Sequence, residues 1–507
     1  MASRRPNILL ITTDQEQHWD LLPPGLSRPG IESLLETGVA FGAHHVVALP
    51  CGPSRSTIYT GRHIWDTKVW WNPGGERAPG LVPSVPTWGA GLRDLGYHTA
   101  YKGKWHVSWI PRPEPFRSNA VNALEDYGFS EYTADGDPVG VAWDGYRHDP
   151  AIASDAANWL LSRSGAKPDD RPWCLAVNFV NPHDIMFFDA TGQMNRDGSM
   201  PSPRMPAPLD PLYEKEWDVE LPSTFAEVTA TRPQVQATSQ RRLDAMVGAV
   251  DHGDEVAWRS LRSYYFNCLR DVDRHVSTVL RALKKSGHED DTVVLYTSDH
   301  GELAGAHGMR EKPTSVFREV VNVPLIVRHP ACSPGARDQL TSAIDIAPTI
   351  LAMAGARGTP LFERLSPGGH DFSPLVSSAS GPKPRDVAGV LFAMASPPPA
   401  VGADALAGTN GRLRHALDAP ALPAEIVMCG MRRGRWKIAV YASDAPPSGG
   451  GASVATEIEV YDTVEDPRET TNVARDPEQA RLVADLVGGL RDLMRAESSP
   501  VECSHVT

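Results

Sequence analysis

Two pairs of polar residues stand where apolar runs end, and their types are those of catalysis. The run NILLITT (7–13) delivers Asp14 and Gln15, and TVVLYTS (292–298) delivers Asp299 and His300. Two carboxylates, a carboxamide oxygen and an imidazole make a donor set for a divalent cation. Oxygen donors suit Ca²⁺, Mg²⁺ or Mn²⁺, and the imidazole tilts the set toward Mn²⁺. Taken alone, Asp14 is equally explained as the cap of a following helix. A third group is Cys51, which opens the run CGPSRSTIYTGR (51–62). Pro53 suits a first helical turn and Gly61 a helix stop. Cys51 is therefore expected at a helix N-terminus, where unpaired N–H groups favour negative charge. Arg55, one turn on, can fold back to the same spot. Such surroundings are expected to lower the thiol pKa, and would equally stabilise an anion built on that side chain. The competing reading is a buried structural cysteine.

To bring residues 14, 51 and 299 together the chain needs a sheet whose strand ends face one way. In an open parallel sheet, ligands bind beyond the carboxyl ends of the strands. Apolar runs and helical patterns alternate over residues 1–375, which predicts a mostly parallel α/β sheet. Strands are expected at 7–13, 97–103, 173–180, 292–298 and 323–328. Before the third of these, Ile152, Ala156, Trp159 and Leu160 share one helical face. The clearest helix is expected at 258–285, where Leu261, Tyr265, Cys268, Val272, Val276, Val279 and Leu283 keep three- and four-residue spacing. IDIAPTILAMAG (344–355) reads as a short helix stopped by Gly355. The acidic, proline-rich stretch 187–225 reads as a surface insertion, either a lid or disorder. From residue 376 the texture changes. Loops such as SPPPAVG (396–402) and APPSGGG (445–451) alternate with RWKIAVY (435–441) and EIEVYD (457–462), and a helix is expected at 477–495. Residues 376–507 are thus expected to form a smaller α+β domain.

Bulk properties exclude some functions. The 507 residues carry a formal net charge of −13, which argues against general binding to nucleic acid or anionic membranes. Six scattered cysteines (51, 174, 268, 332, 429 and 503) form neither a disulfide framework nor a zinc ribbon. The N-terminal ILLI run is too short for a signal-peptide core, and no stretch approaches the ~20 apolar residues of a membrane span. A cytoplasmic protein is expected.

CGPSRSTIYTGR resembles the signature of the type I, formylglycine-dependent sulfatases of the alkaline phosphatase superfamily. Five further segments resemble the same family in order: PNILLITTDQ, GYHTAYKGKWH (96–106), NPHD (181–184), YTSDHGELAGAHGMREK (296–312) and EIEVYDTVEDPRETTNVA (457–474). Many sulfatases carry Asp-Asp and Asp-Asn where this chain has Asp14-Gln15 and Asp299-His300. That variation is similar to choline-sulfatases and phosphonate monoester hydrolases, as is Asn72. Phosphonate hydrolases tend to lack the Lys-x-His pair, present here as Lys104 and His106, which favours a sulfatase.

The resemblance implies an alkaline phosphatase-like fold, one divalent cation and oxidation of Cys51 to formylglycine by a formylglycine-generating enzyme. One hydroxyl of the hydrated aldehyde would attack sulfur, and the other would eject sulfate. The resemblance assigns Asp14, Gln15, Asp299, His300 and residue 51 to the cation, and makes Arg55 the orienter of the nucleophile. It gives Lys104, Asn72, Lys312 and His183 to the sulfate ester, His106 the role of base, and His183, with Lys312, that of acid. Ordinary surface or turn roles remain open for Lys312, His183 and Asn72. His44, His45, His63 and His307 receive no role. Trp65, Trp70, Trp71, Trp105 and Trp109 could wall a quaternary ammonium or a ring, but core packing is the simpler expectation. The substrate expected is a small sulfate ester. The rivals are a phosphonate or phosphate mono- or diesterase on the same scaffold, and a non-catalytic binder with unmodified Cys51. The oligomeric state is open, homo-oligomer included.

Overall fold

The computed structural model describes residues 5–497, apart from 75–79, 111–121, 135, 166–170, 193–203, 227–231, 331, 366–367, 384, 387–388, 396–425 and 444–454. The strands are β1 (Asn7–Asp14), β2 (Val39–Phe41), β3 (His44–His45), β4 (His98–Gly103), β5 (Trp173–Pro182), β6 (Thr292–Ser298), β7 (Leu325–Arg328), β8 (Gly335–Arg337), β9 (Thr341–Ser342), β10 (Val390–Ala395), β11 (Ile426–Arg433), β12 (Trp436–Ser443) and β13 (Ala455–Asp462). The helices that matter here are α1 (Pro29–Thr37), α2 (Cys51–Thr60), α3 (Asp144–Gly165), α4 (Gln234–Val247), α5 (Glu255–Lys285), α6 (Ile346–Met353) and α7 (Ala480–Ala496).

The large sheet has the order β4-β5-β1-β6-β7-β2-β8. Its first four strands are parallel, and β7 runs antiparallel to both β6 and β2. Every residue of β1, β5 and β6 is buried, as expected when helices cover both faces. Alternate residues serve opposite faces. Leu9, Ile11, Leu175, Val177, Val294 and Tyr296 meet Ile152, Trp159 and Leu160 of α3 and Val272, Val276 and Val279 of α5. Ile8, Leu10, Ala176 and Leu295 belong to the cluster containing Ile58 and Tyr59 of α2 and Ile350 of α6. The small sheet, β10-β11-β12-β13, is antiparallel throughout. Leu486, Val487, Leu490 and Leu493 of α7 cover one face, and Phe392, Met394, Ala439 and Tyr441 bring the other into the main core.

The differences from expectation have local causes. Helix α5 starts at Glu255 because the Asp254 side chain accepts from the Ala257 N–H at 3.0 Å. Strand β7 begins only after Pro324, which has no N–H for a ladder. Helix α7 starts at Ala480, after a short turn over Pro477–Gln479 capped by Asp476. The stretch 187–225 is not a loose surface insertion in its described parts. Phe188 stacks on Tyr264 at 4.1 Å, and Trp217 and Phe225 are buried with α5 residues Trp258 and Leu261. The two proline- and glycine-rich loops and Cys503 lie outside the described residues. Among the described residues, no helix is long and apolar enough to cross a membrane.

Candidate active site

Parallel pairing of β1 with β6 sets Thr13 opposite Ser298, so Asp14 and Asp299 leave the sheet side by side. Helix α2 opens beside them. Pro50 is its N-cap, Cys51 its first residue, and Gly61 closes it in the left-handed conformation (φ 64°). Cys51 Sγ lies 3.1 Å from His300 Nε2 and 3.7 Å from Asp14 Oδ1. One atom each of Asp14, Cys51, Asp299 and His300 lies within 4.8 Å of all the others, and all four residues are buried. His300 Nδ1 is 3.0 Å from the Gly301 carbonyl, so it carries the proton and leaves Nε2 as the lone-pair donor. Carboxylate oxygens with one imidazole fit a hard or borderline divalent cation.

Cations of the chain already crowd these carboxylates. Arg55 spans both: Nε is 2.7 Å from Asp299 Oδ2 and Nη2 is 3.2 Å from Asp14 Oδ2. Its Nη1 donates to the Lys104 carbonyl at 3.0 Å. Lys104 Nζ is 2.7 Å from Asp14 Oδ2. Burial alone would raise the Asp14 pKa; Lys104, then His183 and Arg55, override it and hold the carboxyl well below the usual range. Asp299 is pushed up by burial and by Asp14 beside it.

The expected activation of the Cys51 thiol is overturned. Burial first, then the Asp14 charge, pushes its pKa up to about 12. The helix N-terminus is present, but the Arg55 guanidinium is spent on carboxylates instead of facing sulfur.

Lys312 Nζ donates to Gln15 Oε1 and is 3.6 Å from Glu311 Oε2. Burial works against its charge, but Cys51, Glu311 and Asp14 outweigh it and its pKa is raised. Gln15 is thereby tied to Lys312 through its oxygen and to Glu302 and Glu311 through its nitrogen. His106 and His183 are buried, and burial followed by the neighbouring lysines keeps both imidazoles far below their ordinary pKa. Neither Nδ1 has a hydrogen-bond partner among the described residues. The His106 backbone sits at φ 51°, fixed by Asp137, whose carboxylate accepts from the N–H of Trp105 (2.9 Å) and His106 (2.6 Å). Asn72 acts one step away: its Oδ1 accepts from the Gly52 N–H at 2.8 Å and so holds the first turn of α2.

Sequence reasoning missed Asp137, Asn178, Glu302 and Glu311. Asn178 Oδ1 accepts from Tyr59 Oη (2.9 Å) under Arg55. Glu302 and Glu311 stand inside the quoted 296–312 segment, so their position was a usable signal; Asp137 and Asn178 had none. Trp65 and Trp105 pack within apolar core clusters, whereas Trp109 is 38% exposed. His44, His45 and His63 pair elsewhere, with Thr341, Arg432 and Glu497.

The Sulfatase family model matches residues 6–356. The chain belongs to the sulfatase family. This family lies in the alkaline phosphatase superfamily, and sulfate ester hydrolases are among its members. The sulfatase chain is 25% identical to a choline-sulfatase of Rhizobium meliloti (strain 1021) over 96% of its own length and 86% of that protein. A solved 2-O GAG sulfatase shares its fold with a TM-score of 0.72 at 22% identity, covering 98% of this chain and 93% of the other. The phosphonate monoester hydrolase of Agrobacterium radiobacter superposes with a TM-score of 0.64 at 20% identity, covering 97% and 96%.

Proposed function

We propose that this sulfatase hydrolyses a small organic sulfate monoester to alcohol and sulfate, with formylglycine made from Cys51 as the nucleophile. The observation that carries the reading is the position of Cys51 at a helix N-terminus, inside one group with Asp14, Asp299 and His300. A Ca²⁺ or Mn²⁺ ion, or Mg²⁺, held by these residues and the Gln15 oxygen would supply Lewis acidity to the sulfate oxygens. Conversion of Cys51 calls for a formylglycine-generating enzyme in the producing cell. The catalytic domain is taken as residues 1–375 and the smaller one as 376–507, in a cytoplasmic protein.

The chain's own residues divide the remaining work. Arg55 locks the two carboxylates and fixes the angle at which α2 presents residue 51. Lys104 and Lys312 neutralise charge on the sulfate oxygens as the ester bond breaks. Asn72 steadies the helix end that faces the ester. His106, neutral at physiological pH, is the base that takes a proton from the nucleophilic residue. His183 and Lys312 together serve the leaving oxygen: Lys312 carries the proton in the resting site, the alkoxide formed as the S–O bond breaks is basic enough to take it, and the neutral His183 is that oxygen's hydrogen-bond partner. Cys51 is 1% exposed and Lys104 0%, so the sulfate end of the site is enclosed; a small ester is taken as the substrate.

A phosphonate or phosphate ester hydrolase on this scaffold is the second reading, favoured by the Gln15 and His300 pattern. Parallel assays separate the two. Expected is a kcat/KM for an aryl sulfate at least tenfold above that for the matching aryl phosphodiester, lost in Cys51→Ala. A tenfold preference for the phosphodiester would overturn the sulfatase reading.

A further inference from the structure

Gln15 differs from the other donors of the site in one respect. A carboxamide has an oxygen and a nitrogen of nearly equal size. Turned one way it offers a cation ligand; turned the other it offers N–H groups, which repel a cation. Its neighbours decide between the two. Gln15 Nε2 donates to Glu302 Oε2 and, at 3.0 Å, to Glu311 Oε2. Its Oε1 accepts from Lys312 Nζ.

Both carboxylates are fully buried, and neither is free to turn. Glu302 Oε1 accepts from the backbone N–H of Ala304 (2.8 Å) and of Glu311 (2.7 Å). Glu311 Oε1 accepts from Arg310 Nη2 at 3.0 Å, and the same Nη2 donates to the Met186 carbonyl at 2.7 Å. The Gln15 main chain is set as well. Its φ is +74°, and its N–H donates to Asp299 Oδ1 at 3.2 Å. Two acidic acceptors on the nitrogen leave one orientation for the oxygen, toward Lys312 Nζ and away from both glutamates, on a residue whose own N–H is bonded to Asp299.

We propose that Glu302 and Glu311 are positioning residues that fix the Gln15 carboxamide with its oxygen toward the cation site. They touch neither ester nor cation; they act by removing the flipped state of a ligand. Groups that orient metal ligands contribute roughly 10- to 100-fold to metal affinity. The inference rests on the proposed cation site, but its test does not use turnover.

The test is calorimetric titration of chelator-stripped protein with Mn²⁺ and with Ca²⁺. Glu302→Asp keeps the carboxyl group and withdraws its oxygen from Gln15. Expected is a Kd raised about tenfold, with restoration to within about threefold by adding Gln15→Glu, whose carboxylate presents oxygen in either orientation. An electrostatic contribution alone predicts no change in Glu302→Asp. A merely structural role lowers the melting temperature and leaves Kd where it was. Either of those results overturns the proposal, as does wild-type protein that takes up neither ion. Should Glu302→Asp not fold, Glu311→Asp carries the same prediction, since it withdraws the other acceptor. A protein that titrates as expected yet cleaves no sulfate ester keeps this inference and loses the sulfatase reading.

Discussion

Arg55 has no exposed surface and bonds to carboxylates from two different strands. An arginine in that position is costly to bury, and its removal is costlier, because Asp14 and Asp299 would then face each other unpaired. Breaking such a buried pair typically costs about 3–5 kcal/mol. The same crowding explains the Cys51 thiol. With burial first and Asp14 at 3.7 Å outweighing Lys104 and Lys312, the unmodified side chain stays protonated and is a weak nucleophile. The proposed chemistry therefore depends on conversion of residue 51. His183 depends on a neighbour in a different way. Gly140 sits at φ +93°, and a Cβ there would stand 2.5 Å from His183 Nδ1. Gly140→Ala is expected to push the imidazole aside, lowering kcat at least tenfold, with about 1–2 kcal/mol lost from stability through the positive φ. Unchanged kcat in a folded Gly140→Ala protein would show that His183 has no part in the slow step.

At the scale of elements, the register of β1 on β6 does the assembling. Both strands end at the same level, so two Asp residues 285 positions apart in sequence arrive together. This was legible because fully buried parallel strands are continuous apolar runs followed by polar residues. Helix α2 was legible for a related reason: proline near its start and glycine at its end need those backbone geometries. The thiol pKa was not legible, since it depends on where the Arg55 guanidinium points, which spacing along a helix does not reveal. Nor was the packing of 187–225, because proline-rich acidic stretches carry no periodicity, and its aromatics find partners on elements distant in sequence, α5 chief among them.

The small sheet makes a prediction of its own. Glu459 on β13 is fully buried and accepts from Tyr461 Oη and Gln236 Nε2, both at 2.8 Å, and from Tyr441 Oη. Burial raises its pKa from 4.5 to about 7. Between those values the folded state holds a proton that the unfolded state has lost, so stability falls as pH rises through that window. Glu459→Gln removes the titration. The stability advantage of wild type over Glu459→Gln should therefore shrink by roughly 3 kcal/mol between pH 5 and pH 8. Urea denaturation of both proteins at the two pH values measures it; a gap that stays constant or widens contradicts the assignment.

At the scale of the whole molecule, the large sheet places the proposed cation ligands at strand ends, α2 places the proposed nucleophilic position, and the segments after β4 and β5 carry His106 and His183. The small sheet closes the core on one side, with Ala393 bonded to the Val47 carbonyl just upstream of Cys51 at 2.8 Å. The proposed mechanism requires residue 51 to bear a group that the buried thiol cannot provide. Mass spectrometry of the peptide containing residue 51, from protein made in its own cell and active on a sulfate ester, tests this most directly. The account predicts a residue about 18 Da lighter than cysteine that forms hydrazones, the mark of an aldehyde. An unmodified thiol at position 51 in protein that turns over the ester would contradict it.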